Sequence, residues 1–161
     1  MNIRTKKVGD FIIISPYSFT PTHPKSYPYW IQLIPLLKTL NYKLIQIGTF
    51  GEQVLQNVDD VMYGLSFEKL QQKLSDCYSW ISVDNFLPHM CNCMSLVTPG
   101  IAIFGLSDPN IFGYSYNKNI LKSKSFLRVN QFDVWTNTKQ NVNAFNTADE
   151  LFPIIENFLK E

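Results

Sequence analysis

Short continuous apolar runs alternate along this chain with longer stretches of helical period. Phe11-Ile12-Ile13-Ile14-Ser15 is an apolar run of strand length, and Pro16 ends it. From Tyr29, the positions Trp30, Leu33, Ile34, Leu37 and Leu40 recur at helical spacing, with Pro35 expected to remove one hydrogen bond and kink the helix. Lys43 to Ile47 predicts a second strand, closed by the glycine-bearing turn Gly48-Thr49-Phe50-Gly51. Val61-Met62-Tyr63 predicts a very short third strand. Ser66 stands where it would cap a helix whose Phe67, Leu70 and Leu74 share a face. Trp80 to Val83 predicts the next strand, after which Phe86, Leu87, Met90 and Met94 predict a helix with Pro88 in its first turn, where proline is tolerated. Gly100 to Phe104 is a further strand, opening into the loop GLSDPNIFGYSYN. Residues 118–135 admit two short strands, and Thr147 caps a final helix with Leu151, Ile154, Ile155 and Phe158 on its apolar face.

Near-continuous apolar strands separated by helices predict a parallel sheet covered on both faces, an α/β fold. In such sheets ligands sit at the carboxyl ends of the strands, so the polar loops after the first, second, fourth and fifth strands are the places to look for function. The first of these loops, SPYSFTPTHPKSYP, carries four of the nine prolines and is fixed in shape more than it is floppy. No internal repeat, low-complexity segment or linker marks a second domain.

Composition narrows the function. The chain has 161 residues, 45% hydrophobic and 17% charged, which suits one folded domain. A net charge of +1 speaks against a nucleic-acid partner, which would call for a strong basic excess. The locally basic stretches, Lys6-Lys7 and Lys118, Lys122, Lys124, Arg128, read as ordinary solvated surface. No run reaches the ~20 apolar residues needed to span a bilayer, and no small-residue cleavage site follows the first apolar segment. Three cysteines, an odd number without framework spacing, suit a reducing compartment; a cytoplasmic location is expected.

The densest chemistry lies in WISVDNFLPHMCNC, residues 80–93, which holds Asp84, His89, Cys91 and Cys93. A zinc site needs ligands converging on one point. On a helix His89 and Cys93 share a face, but Cys91 lies about 160° away, and the cysteines read instead as small core residues. No metal is expected. No partner base is placed for a cysteine nucleophile either. Asp84 differs, since a carboxylate at the end of an apolar strand, followed by Asn85 and a helix, stands where ligands and helix amides meet. The alternative is that Asp84 or Asn85 only caps that helix, and that His89 is a satisfied core histidine.

Ile81-Ser82-Val83-Asp84 with His89 five residues on, and then Phe104-Gly105-Leu106-Ser107-Asp108-Pro109, resemble the carboxyl-terminal half of heptosyltransferases, which transfer sugars to lipopolysaccharide from ADP-heptose. That half reads a strand ending Asp-Thr-Gly-x-x-His, a small-residue helix, and a strand running into Phe-Gly-x-Thr/Ser-Asp-Pro. Lys25 with Tyr29-Trp30 is similar to the family's Lys-x-Trp-Pro region, and Gly48 to Glu52 to its Gly-x-x-x-Glu turn. The resemblance covers residues 10–115 and the closing helix at 147–160. It implies one Rossmann-like domain over 1–161, half of the two-domain GT-B arrangement, the half that holds the nucleotide-sugar donor.

By position, the resemblance implies that Lys25 neutralises the donor diphosphate and Glu52 receives the ribose hydroxyls. Met62 and Tyr63 would flank the base, and Thr49 lies in the turn before Glu52. Asp84 and Asn85 would meet sugar and diphosphate, with His89 on the same surface and Ser18 and Thr20 as further phosphate donors. A lysine and helix amides suit a leaving group that gains negative charge. Two departures stand out: Phe86 replaces the family glycine, and Met90-Cys91-Asn92-Cys93 replaces an alanine-rich helix. The acceptor domain, with its carboxylate base, has no counterpart here. The expectation is therefore a nucleotide-sugar-binding domain that transfers the sugar, with inversion and no metal, only with a partner chain or by self-association. The alternative expectation is a non-catalytic protein that binds or senses a nucleotide or nucleotide sugar.

Overall fold

The apolar run at the start of the chain forms the centre of the molecule. In the computed structural model, which describes residues 9–94 and 98–161, β1 (Phe11–Ser15) lies between β2 (Lys43–Gly48) and β4 (Ser79–Val83). Outside them pair β3 (Asp60–Tyr63), β5 (Ile101–Phe104) and β6 (Lys118–Leu121), giving the order β3-β2-β1-β4-β5-β6 with every pairing parallel. Ile12 and Ile14 face one side of the sheet and Ile13 the other, and all three are buried. Because helices cover both faces, the strands lack a polar alternation.

On the first face α1 (Trp30–Lys38) packs beside α5 (Ala148–Lys160) against Ile12, Ile14, Leu44, Ile81, Val83, Ile101 and Ile103. On the second face, α2 (Phe67–Asp76) and α3 (Phe86–Cys93) cover Ile13, Trp80, Ala102 and Phe104. The helix ends follow the sequence signals. Ser66 accepts from Lys69 N–H, and Thr147 forms a full capping box with Glu150. α1 continues through Pro35, which stands on its exposed side. The buried stripe of α5 is Ala148, Leu151, Ile155 and Leu159, with Ile154 and Phe158 only partly buried. No helix among the described residues is long and apolar enough to cross a membrane.

Residues 118–135 depart from the two strands expected. Only β6 forms; 3-10 turns follow at Lys124–Phe126 and Val142–Ala144, and the chain is otherwise irregular up to Thr147. This segment is held by single side chains rather than by a ladder. Gln131 donates to Leu106 O and Arg128 O and accepts from Asp108 N, and Gln140 donates to Pro21 O and Ser26 O. It thus forms an arch from the loop after β5 to the loop after β1, along the carboxyl edge of the sheet.

The order reverses between β1 and β4, each feeding a helix on the opposite face, so the carboxyl edge splits into a crevice there. The neighbouring loop, from β2 to β3, ends on Asp59. Its carboxylate accepts from Leu44 N–H at 2.7 Å and pairs with Lys38, and these contacts hold it below the usual carboxylate range. A depressed folded value contributes stability in full above the unfolded value of about 4, and that contribution is lost as pH falls through the folded one. Asp59→Ala should cost about 1–2 kcal/mol at pH 7, with the gap to the parent closing below about pH 4 in denaturant titrations. A gap that stays constant down to pH 2 would contradict this.

Candidate functional site

Asp84, one residue past the end of β4, is buried, which a carboxylate tolerates only with partners. Its Oδ2 lies 3.5 Å from Lys25 Nζ, and its Oδ1 lies 3.9 Å from His89 Nε2, so two elements distant in sequence converge on it. His89 sits in the first turn of α3, its Nδ1 2.7 Å from Tyr114 Oη, with the two rings edge to face. Lys25 is placed by the proline-rich loop, where its N–H donates to His23 Nδ1 at 3.2 Å. Burial and the Lys25 ammonium lower the His23 pKa, opposed by Asp84, which favours the neutral ring that this hydrogen bond requires.

Asn85, not Asp84, caps α3. Its Oδ1 accepts from Leu87 N–H at 2.9 Å and from Ser82 Oγ at 2.8 Å, while its Nδ2 donates to Ser15 Oγ at 2.8 Å and Tyr17 O at 3.0 Å. All four hydrogen-bonding positions of the amide are therefore used inside the protein, tying the ends of β1 and β4 to the start of α3. The same capping limits what α3 offers an anion. Leu87 N–H is taken, Pro88 has none, and among the described residues Phe86 N–H is the amide left at the first turn. Phe86 itself is the first helical residue, half exposed, at no position requiring positive φ.

A second group assembles beyond β2. Glu52 accepts from Thr49 Oγ1 at 2.9 Å, and its carboxylate lies over Gly48, where any Cβ would meet Oε2 at 2.1 Å. Beneath it, Tyr63 Oη donates to Glu52 O, and buried Gln46 holds both Leu55 N–H and Gln53 O. The loop that carries Glu52 is thus pinned from the strand side. Tyr17, in the loop after β1, joins the two groups: its backbone carbonyl receives Asn85, and burial together with Tyr63 and Glu52 pushes its phenol up to about 12.

The expected site residues therefore fall into two clusters of one crevice. Lys25, Asp84, Asn85 and His89 meet at β1 and β4, and Thr49, Glu52 and Tyr63 at β2 and β3. Met62 points the other way, into the layer of Ile47 and Leu74. Ser18 is buried and Thr20 exposed, on either side of a tight turn. The cysteines divide: Cys77 and Cys91 are buried, their thiols pushed up to about 12 by burial, whereas Cys93 is exposed rather than in the core. Among the described residues no three His, Cys, Asp or Glu side chains are grouped to hold a metal. Lys118, Lys122 and Lys124 are exposed as expected, and Lys6 and Lys7 lie outside the described residues.

Arg128, however, is not free surface. Its guanidinium lies 3.7 Å from the centre of the Trp135 ring and donates to Asp133 O and Val134 O, closing a turn of the arch. Trp135 reaches the crevice, with Lys25 Nζ 5.9 Å from its centre and the His23 ring tilted against it, their centres 5.7 Å apart. Neither Trp135 nor His23 was expected at the site, because the segment around the one has no periodicity and the other lies among prolines. A separate cleft of about 280 Å³ lined by Lys118, Ile154, Asn157, Phe158 and Glu161 opens at the start of β6, at the other end of the strands.

Comparison with solved structures places this fold among glycosyltransferases. The chain aligns over its whole length with 49% of the bacterial iron-containing dodecameric glycosyltransferase TibC from enterotoxigenic E. coli H10407, at a TM-score of 0.72 and 16% identity. It also aligns over 97% of its length with 48% of the E. coli ADP-heptose LPS heptosyltransferase II (TM-score 0.66, 13% identity), and over 96% with 46% of the E. coli heptosyltransferase WaaC, solved with ADP (0.61, 16%). The chain spans about half the length of these structures, and its single α/β domain has the fold of half of a GT-B heptosyltransferase. No family model matches the sequence, and no curated protein does.

Asn85→Ala should destabilise the chain by about 2–4 kcal/mol, since it leaves Ser15, Tyr17 and Leu87 with buried polar groups unpaired. A denaturant midpoint equal to the parent's would remove the amide from its central place.

Proposed function

We propose that this chain binds a nucleotide-diphosphate sugar in the crevice between the ends of β3 and β4, as the donor half of a glycosyltransferase. The observation that carries the reading is the pairing of Lys25 with buried Asp84, with His89 at the switch point, one strand away from the oriented carboxylate of Glu52. A cation beside the start of a helix suits a diphosphate, and a fixed carboxylate two loops away suits the two hydroxyls of a ribose. The likeness to transferases solved with ADP supports the same ligand class. In this reading Lys25 and Phe86 N–H carry the phosphate charge. Asn85 shapes the site without touching ligand, and Asp84 holds Lys25 and turns towards the sugar.

For transfer, an acceptor oxygen would attack the anomeric carbon from the face opposite the diphosphate. The carbon–oxygen bond to the diphosphate breaks with inversion, and the acceptor proton passes to a base on the acceptor side. Lys25 stabilises the charge that grows on the leaving group. The acceptor side and its base would come from a further domain, a partner chain or a second copy, placed across the open mouth of the crevice.

Calorimetric titration with ADP, UDP and GDP tests the reading. Binding should weaken at least about tenfold in Lys25→Ala and in Asp84→Ala, the second because Lys25 loses its anchor. No binding at millimolar nucleotide, or unchanged affinity in both variants, would refute it.

A further inference from the structure

Three non-glycine residues among those described have positive φ. Two are asparagines, Asn41 and Asn57, whose side chains tolerate that conformation; the third is Phe19, at φ 63°. For a bulky aromatic residue this is a strained backbone, and strain persists only where surrounding groups over-determine it. Here they do. Thr20 N–H donates to Ser18 O at 2.8 Å, closing a three-residue turn around Phe19. Wholly buried Ser26 clamps the turn from inside, its Oγ accepting from Ser18 N–H at 2.9 Å and donating to Thr20 O at 2.7 Å. Gln140 of the arch then fixes Ser26 and Pro21 through their carbonyls.

All this holds an aromatic ring out in water: Phe19 is 83% exposed. Glycine would make the same turn with no side chain to strain, so the backbone does not explain the residue; the ring must. It contributes nothing to the core. It does lean on His23 at 5.4 Å, which leans on Trp135, which Arg128 covers, so its position is backed by a row of rings. His23 is also the residue that receives Lys25 N–H, so the row of rings that starts at Phe19 runs to the segment that carries Lys25.

A flat, exposed phenyl next to polar groups is the arrangement that takes a sugar. The ring covers the apolar C–H face of a pyranose, and the neighbouring carboxylate, imidazole and ammonium meet its hydroxyls. We propose that Phe19 is the stacking platform for the glycosyl ring of the ligand, the subsite that separates a nucleotide sugar from the bare nucleotide. The proposal rests on the nucleotide-sugar reading above and adds to it a residue placed by strain rather than by charge.

The test is calorimetry on the full chain with ADP and ADP-glucose, and with UDP and UDP-glucose, comparing the parent with Phe19→Asn, Phe19→Tyr and Phe19→Trp. Phe19→Asn should keep the parent's affinity for the bare nucleotide. It should bind the nucleotide sugar about fivefold more weakly, while the aromatic variants bind it as the parent does. The platform is overturned if the parent gains nothing from the glucosyl group, or if Phe19→Asn keeps that gain. It is equally overturned if Phe19→Asn loses nucleotide and nucleotide sugar alike, or changes only the elution volume, which would make the ring a contact for a second copy. If the parent binds no nucleotide at all, the donor-site reading fails first and the platform with it. If it binds nucleotide and the variants are indifferent, the platform alone fails.

Discussion

One buried amide organises the crevice. Asn85 joins β1, β4 and α3 through four hydrogen bonds, where β1 and β4, adjacent and parallel, send their chains to opposite faces. The β1–β4 ladder ends at Ser15 and Ser82, and the amide carries the tie beyond it, giving the elements that hold Asp84, His89 and the Tyr17 loop a common reference. A fully satisfied amide in a low-dielectric interior is strong and directional, and each partner left alone would be costly. The site is thus built on a group that does not itself remain available to a ligand.

Charge is arranged around this fixed point with economy. Asp84 is buried against Lys25 and faces His89, so the pocket presents an ammonium whose position is set by a carboxylate and whose backbone is set by a neutral imidazole. The start of α3 adds little, because capping and Pro88 leave one amide there. The arch supplies the remaining wall. Its Arg128 is spent on Trp135 and on its own turn, and what it delivers to the crevice is an aromatic ring behind Lys25 and His23.

Much of the fold was legible in the sequence because both faces of the sheet are buried. Strands such as Ile12 to Ile14 then read as unbroken apolar runs, and helices such as α2 and α5 announce themselves by Ser66 and Thr147. Strand order was not legible, since pairing between β1 and β4 leaves no local mark. The arch escaped because three side chains, Arg128, Gln131 and Gln140, replace a periodic ladder. At the site, Lys25, Glu52, Asp84 and His89 could be named from motif order. Asn85 could be named as a candidate cap but not as the tie between β1, β4 and α3, which depends on which lone pairs are already used; the exposed ring of Phe19 depends on a backbone angle that leaves no mark in the sequence. Phe86, which stands in place of the family glycine, is an ordinary first helical residue at no position that requires a positive φ.

The central claim is that the carboxyl-edge crevice, held by Asn85, is where a nucleotide diphosphate binds. Hydrogen–deuterium exchange with and without saturating ADP tests it over the whole chain at once. The account predicts slower exchange in residues 15–27, 48–53 and 84–90 together, with the helix surface of α5 and the cleft at Lys118 unchanged. Protection confined to that cleft, or no protection anywhere, would contradict it.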